Sequence, residues 1–265
     1  MIQRLLLWAD NRFGTATFVH HALKKAFPDH WSFMLGEINI YAFIVLVATG
    51  TFLALWFVPA HTSVVYDGPY TFLRGDRMSQ AYDSVLHISF EVNAGLLIRQ
   101  IHHWAANIFL AAIVLHMGRI FFTAAFRNPR ELNWIIGVLL LAMGLGEGFT
   151  GYLLPWDQTA YWATVVGINI NGTGPFIGPF LAQFLQGGTY INADTLSRFY
   201  AIHMLLIPGA IFALIGLHLY LVIRLGVTSP PWSKEAAGTG PLAPQSTNGG
   251  RAGLMQPRTR RNGRA

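Results

Sequence analysis

Four long apolar segments constrain this sequence more than any other feature. They cover about residues 38–58, 96–122, 134–154 and 202–223. Each is long enough to cross a bilayer core, which takes roughly 20 mostly apolar residues. Inside a bilayer every backbone polar group must be satisfied within the protein, and a helix does so within one segment. The sequence therefore predicts an all-α fold, a transmembrane four-helix bundle.

Composition supports a membrane location and excludes several functions. Charged residues make up 11% of the chain, against about 25% in an average soluble domain. The chain has no cysteine, which excludes disulfides, thiolate catalysis, cysteine-bound zinc and thioether-linked haem. The net charge of +6 does not indicate nucleic-acid binding, because the basic residues sit at helix ends and in the C-terminal tail.

The regions around the apolar segments differ in composition. Residues 1–28 are mixed in character and are expected to form an amphipathic segment on the membrane surface. Residues 29–228 hold the bundle, with long connections over 59–93 and 155–199. Residues 229–265 are rich in Pro, Gly, Ser, Thr and Arg, which is typical of a disordered tail.

The distribution of basic residues predicts the orientation, because cytoplasmic loops carry an excess of Lys and Arg. Four basic residues fall on the side of the long connections: Arg74, Arg77, Arg99 and Arg198. The other fourteen fall on the opposite side. We therefore expect both termini in the cytoplasm and the two long connections on the outer side.

Four histidines inside the apolar segments indicate a redox cofactor site. His102 and His116 lie 14 residues apart in the second segment, and His203 and His218 lie 15 apart in the fourth. At about 100° and 1.5 Å per residue, each pair lines one face of its helix at two levels about 21–22 Å apart. The second and fourth helices run parallel, so we expect His102 to pair with His203 and His116 with His218.

The same geometry sets His103 aside, since it faces away from His116 by about 220° of rotation. Two alternatives remain open. Any one histidine could form a polar contact between helices. A bare metal site is less favoured, because no carboxylate is expected at either level.

Glycines repeat the same spacing on the other two helices. Gly36 and Gly50 lie 14 residues apart on the first helix, and Gly137 and Gly151 lie 14 apart on the third. A residue without a side chain lets a flat macrocycle approach the backbone closely, although small residues also serve ordinary helix packing. The pattern favours two stacked haems between the helices.

These residues resemble the cytochrome b family of quinol-oxidising bc complexes, in its cytochrome b6 form. The matching stretches are residues 96–119, 133–163 and 195–224, including the segment GYLLPWDQ, and the likeness extends over about residues 27–227. The 15-residue histidine spacing is similar to the cytochrome b6 form. The segment HWSFMLGEINIYAF (30–43) is similar to actinobacterial and related Gram-positive cytochromes b.

The resemblance implies a cofactor set and site residues. His102 and His203 would hold a low-potential b-type haem at the outer side, and His116 and His218 a high-potential one at the cytoplasmic side. Arg99 and Arg119 match residues that meet haem propionates. Five residues match the loop beside the outer quinol-oxidising pocket, or else form a helix that only caps the bundle: Pro155, Trp156, Asp157, Tyr161 and Trp162.

Two departures from the family pattern matter. Met34 stands where the cytochrome b6 form has the cysteine that tethers an extra haem, which argues against a covalent third haem. The sequence also ends after the fourth apolar segment, without the family's Pro-Glu-Trp-Tyr element. A separate three-helix subunit is therefore expected to complete the quinol pocket.

Glu147 is the most unusual residue, because a carboxyl group inside an apolar segment is costly and is a functional candidate by default. We expect either a proton or quinol contact near the outer haem, or a hydrogen-bonded structural carboxyl group.

The resemblance implies the redox subunit of a quinol–cytochrome c or plastocyanin-type reductase in the bacterial plasma membrane, not a complete enzyme alone. Electrons would cross from an outer quinol site to a cytoplasmic-side quinone site and contribute to the proton-motive force. The implied partners are a Rieske iron–sulfur protein and a c-type cytochrome, in a dimeric complex. Two alternatives remain: a di-haem membrane anchor of a quinone-linked dehydrogenase or hydrogenase, and a haem-free transporter or scaffold.

Overall fold

The computed structural model of the protein describes residues 7–8, 10–12 and 31–227. Within these ranges the helices are α1 (Trp31–Ala54), α2 (Gln80–Phe90), α3 (Gly95–Phe122), α4 (Glu131–Leu153), α5 (Gln158–Gly172), α6 (Gly178–Gln186), α7 (Ala193–Ala201) and α8 (Ile207–Leu225). A π-helical turn (Ile202–Leu206) joins α7 to α8. Residues 7–8 and 10–12 are helical, whereas most of the expected surface segment 1–28 and the expected tail 229–265 lie outside the described residues.

Four helical units are long and apolar enough to cross a membrane, which confirms the predicted all-α transmembrane bundle. Span 1 is α1, span 2 is α3, span 3 is α4, and span 4 is the continuous helix Ala193–Leu225. Spans 1 and 4 begin earlier than expected, at Trp31 and Ala193, because polar residues in their first turns fall outside an apolar window. Few span residues are buried, since most of their surface is apolar and available to lipid.

The two long connections form a layer at one end of the bundle, called the loop side here. A short hairpin pairs β1 (Ser63–Val65) with β2 (Arg77–Ser79), with Ser63 opposite Ser79. The Ser79 hydroxyl accepts a hydrogen bond from the Tyr82 N–H at 3.1 Å, which caps α2. The same hydroxyl donates to the Trp156 carbonyl at 3.1 Å and so fastens the first connection to the second.

The middle of the bundle is a packed apolar core. Phe43, Phe109 and Ile211 are all buried there, and the rings of Phe43 and Phe109 have centroids 6.3 Å apart. Gly144 completes this layer, because a Cβ atom on it would lie 3.1 Å from Phe109 Cε1. Seven residues are about two helical turns, so these positions lie on the histidine and glycine faces, halfway between the two levels.

Candidate functional site

The four predicted histidines meet in two pairs across spans 2 and 4. The ring centroids of His102 and His203 are 6.3 Å apart, and those of His116 and His218 are 6.5 Å apart. A metal-bound imidazole nitrogen lies about 2.0–2.1 Å from its metal and about 1.1 Å from its own ring centre, so two imidazoles on opposite sides of one iron have ring centres about 6 Å apart. Both pairs therefore have the separation that axial ligation of one haem iron requires.

The π-helical turn explains the unequal histidine spacings. Span 2 separates its histidines by 14 residues, whereas span 4 uses 15. The π-helical turn contains His203 and absorbs the extra residue. Pro208 follows it and has no N–H to donate to the carbonyl four residues earlier, which favours the wider turn there. Sequence reasoning missed this turn, although the extra residue followed by a proline was a usable signal.

Each of the four predicted glycines lies against one of the four histidines. A Cβ atom would lie 3.4 Å from His116 Cε1 if built on Gly36, and 3.2 Å from His102 Cε1 if built on Gly50. On span 3, a Cβ atom on Gly137 would lie 3.9 Å from His218 Cε1, whereas one on Gly151 would lie 2.5 Å from His203 Cε1. Spans 1 and 3 thus leave room for the histidine rings of spans 2 and 4.

At the loop-side level, a threonine beside each glycine contacts the histidine. Thr49 Oγ1 lies 2.9 Å from His102 Nδ1, and Thr150 Oγ1 lies 3.3 Å from His203 Nδ1. Thr49 donates its own proton to the Val45 carbonyl at 2.6 Å, so its oxygen can accept from the imidazole N–H. A hydrogen bond at Nδ1 fixes the tautomer in which Nε2 is free to bind metal. Sequence reasoning did not single out these threonines, although the repeated Thr-Gly dipeptide was available.

Glu147 also belongs to this level. Its Oε1 lies 3.1 Å from His203 Nδ1, and its backbone carbonyl accepts from the same nitrogen at 3.1 Å. The expectation that no carboxylate would join either level was therefore wrong, because the π-helical turn places His203 beside the last turns of span 3. The contact is made through Nδ1, and the described residues contain no cluster of three metal-binding side chains.

The His116–His218 level has a different environment. A cavity surrounds this pair, and its walls include Gly36, Phe109, Ile113, Gly137 and Leu140. Among the residues described, no side chain hydrogen-bonds to Nδ1 of His116 or of His218. Arg119 lines the cavity edge, with its guanidinium 4.4 Å from the Phe33 ring centre and its Nε donating to Ser32 Oγ at 3.4 Å. A mostly apolar cavity with a few polar groups is the usual form of a cofactor site.

The residues present fit two bis-histidine haems. The paired rings have the separation that one iron needs, and the glycines keep the backbones close to those rings. Arg99 and Arg119 each lie three residues beyond a histidine, toward opposite ends of span 2. The buried Nε of Arg99 has no hydrogen-bond partner in residues 31–227, which is the state of a group that waits for an anionic partner such as a propionate.

The predicted quinol-loop residues lie together on the loop side. Asp157 caps α5 by accepting from the Ala160 N–H at 2.8 Å. Trp156 has a φ of 52°, so the chain turns sharply after Pro155. The Tyr161 ring lies 6.0 Å from the Trp156 ring and 5.3 Å from the Trp162 ring, and Trp162 is exposed. These residues therefore form an aromatic corner, and their role in quinol binding stays a prediction.

His103 lies apart from both pairs, as the angular argument predicted. It is exposed, and its ring makes an edge contact with the neighbouring Trp104. Of the two adjacent histidines, only His102 faces His203.

Known proteins share this sequence and fold. Residues 107–253, more than half of the chain, match the family described as "Cytochrome b(N-terminal)/b6/petB". The cytochrome bc1 complex cytochrome b subunit of Streptomyces coelicolor is 48% identical over 231 residues, which cover 83% of this chain and 40% of that protein. The subunit of the same name from Mycobacterium leprae is 51% identical over 214 residues, which cover 80% and 39%.

A solved structure titled "Hyperthermophilic respiratory Complex III" is similar to this chain with a TM-score of 0.66 and 29% identity. The match covers 84% of this chain and 56% of that one. The chain spans about 40% of the length of the curated relatives it matches.

Proposed function

Because the chain belongs to the cytochrome b N-terminal/b6 family, we propose that it is the haem-bearing, electron-transferring part of a quinol-oxidising complex. In this proposal it carries electrons across the membrane, from a quinol-oxidising site on the loop side to a quinone site near the other level. The relatives at about 50% identity are subunits of cytochrome bc1 complexes, which supports this choice. The same names support a place in a respiratory chain.

The observation that carries the proposal is the arrangement of two histidine pairs at two depths in one membrane bundle. His102 and His116 are separated by about 21 Å along span 2, at about 1.5 Å per residue, which is most of the thickness of a bilayer core of about 30 Å. Two b-type haems would supply one-electron redox chemistry at these depths. The protein contributes the ligands, the spacing and an apolar core around Phe43 and Phe109 that excludes water.

Quinol oxidation is assigned to the aromatic corner at Pro155–Trp162, with Glu147 as a further candidate. The exposed Trp162 and the capped start of α5 present a rigid apolar surface beside the His102–His203 level. The remainder of that site, an iron–sulfur partner and a c-type cytochrome would come from protein outside these 265 residues. The relatives extend well beyond the region they share with this chain, which supports that expectation.

The proposed orientation places the loop side outside the cytoplasm. Arg74, Arg77, Arg99 and Arg198 are the basic residues on that side, and the excess of basic residues falls on the opposite side. The two haem levels would then lie across the electrical potential of the plasma membrane, so electron movement between them would contribute to the proton-motive force.

The experiment that tests this proposal is rapid mixing of the purified complex with a short-chain quinol, followed by b-type absorbance. We expect both b-type components to become reduced in the wild-type complex. In the His102→Ala variant the His116–His218 component should remain bound but lose rapid reduction from the loop side. Rapid reduction of that component in the variant, with the quinone site near the other level inhibited, would show that electrons do not pass through the His102–His203 level.

A di-haem anchor for a dehydrogenase or hydrogenase is the alternative. It needs two histidine pairs but no aromatic corner and no family of bc1-complex relatives. Quinol-dependent reduction that is unaffected by Trp162→Ala and by Tyr161→Ala would favour this alternative.

A further inference from the structure

Both side-chain oxygens of Glu147 require an explanation that packing does not supply. Oε1 lies 3.1 Å from His203 Nδ1, and Oε2 is buried with no hydrogen-bond partner in the described part of the chain. A buried carboxyl group with an unpaired oxygen is costly, and an intramembrane one is more so. Its neighbours Gly146 and Gly148 show that the span could have carried a small apolar residue here instead.

The two histidine levels differ in what their Nδ1 atoms contact. On the loop side, side-chain oxygens of Thr49, Thr150 and Glu147 reach the histidine nitrogens. At the other level, in the described ranges, Nδ1 of His116 and Nδ1 of His218 have no side-chain partner. The residues equivalent to Thr49 and Thr150, each directly before its glycine, are Leu35 and Ile136. The polar surroundings are therefore confined to one of two otherwise matched sites.

We infer that Glu147 is a positioning residue that lowers the reduction potential of the haem held by His102 and His203. An acceptor oxygen on the imidazole N–H makes the imidazole a stronger electron donor through Nε2, as hydrogen bonds to metal-bound histidines do in general. A stronger donor stabilises ferric over ferrous iron, so the potential falls. This inference rests on the proposed function and deepens it, because a lower potential on the loop side drives electrons toward the other level.

The test is a redox titration of the complete complex carrying Glu147→Leu, with the low-spin ferric EPR signal of each haem recorded in parallel. We expect the loop-side potential to rise by the equivalent of at least a tenfold change in its electron equilibrium, or 59 mV for one electron. The EPR signal of that haem should shift, and the other haem should keep its potential. Glu147→Gln, which retains an acceptor oxygen, should give a smaller change in the same direction.

The matched control is Glu131→Gln, which alters an exposed carboxylate at the other end of the same helix and should move neither potential. Glu147→Met offers a flexible apolar side chain of similar length if the Leu variant does not assemble. Three results overturn the inference: an unchanged loop-side potential with both haems bound, a Gln shift as large as the Leu shift, or loss of that haem from both apolar variants. The proposed function fails separately, if the wild-type complex shows no b-type haem or no quinol-dependent reduction.

Discussion

Substitution of Gly151 by alanine should remove one of the two haems. A Cβ atom at this position would lie 2.5 Å from His203 Cε1 and 3.1 Å from both ring nitrogens. Unbonded carbon atoms rest about 3.5–4.0 Å apart, so the overlap is about 1 Å. The His203 ring must move by a similar amount, whereas metal–ligand distances tolerate only about 0.2 Å. Axial ligation at the His102–His203 level should therefore fail.

Gly36→Ala is the matched control, because it adds the same methyl group against the equivalent histidine of the other level. Its Cβ atom would lie 3.4 Å from His116 Cε1, which a shift of a few tenths of an ångström relieves. We expect Gly151→Ala to carry one haem per chain, and Gly36→Ala to carry two. The assay is the haem-to-protein ratio with a redox titration of each purified variant. Two haems with unchanged potentials in Gly151→Ala, or loss of haem from Gly36→Ala alone, would refute the steric reasoning.

Three further substitutions test other parts of the site. Arg99→Gln should lower the potential of the loop-side haem and Arg119→Gln that of the other, each by about 1–2 kcal/mol for a charge about 10 Å away at an effective dielectric of about 20; equal shifts of both haems in either titration would contradict the assignment. Asp157→Ala removes the cap of α5, which is worth about 0.5–2 kcal/mol, and should slow quinol-dependent reduction while both haems stay bound; an unchanged rate would separate the aromatic corner from quinol binding. Phe109→Ala opens a void in the middle layer and should cost about 3–5 kcal/mol, seen as a lower thermal unfolding midpoint, whereas Phe122→Ala at the exposed end of the same helix should not; equal midpoints would deny the packing role.

The membrane bundle and the histidine pairs could be predicted because both depend on helical periodicity. Apolar length fixes the spans, and a constant rotation per residue selects His102 over His103. The same regularity explains the glycine faces, since 14 residues nearly close four turns. Each of these features is a property of one helix, and the sequence of that helix determines it.

The contacts of the loop-side histidines could not be predicted, because they depend on how one helix deviates and on what it then meets. The π-helical turn at Ile202–Leu206 moves His203 relative to span 3 and brings Nδ1 to Glu147. The hairpin and α2 were also missed, since short polar elements are fixed by contacts such as Ser79 with the Trp156 carbonyl. Those contacts join residues 77 positions apart in the sequence.

The central claim, two haems held by two histidine pairs, is tested most directly by reduced-minus-oxidised spectra with redox titration of three single variants. The wild-type protein should show two b-type components. His102→Ala should lose one of them and His218→Ala the other, whereas His103→Ala, which changes the adjacent exposed ring, should keep both. Retention of both components in His102→Ala and His218→Ala, or loss of the same component from each, would contradict the account.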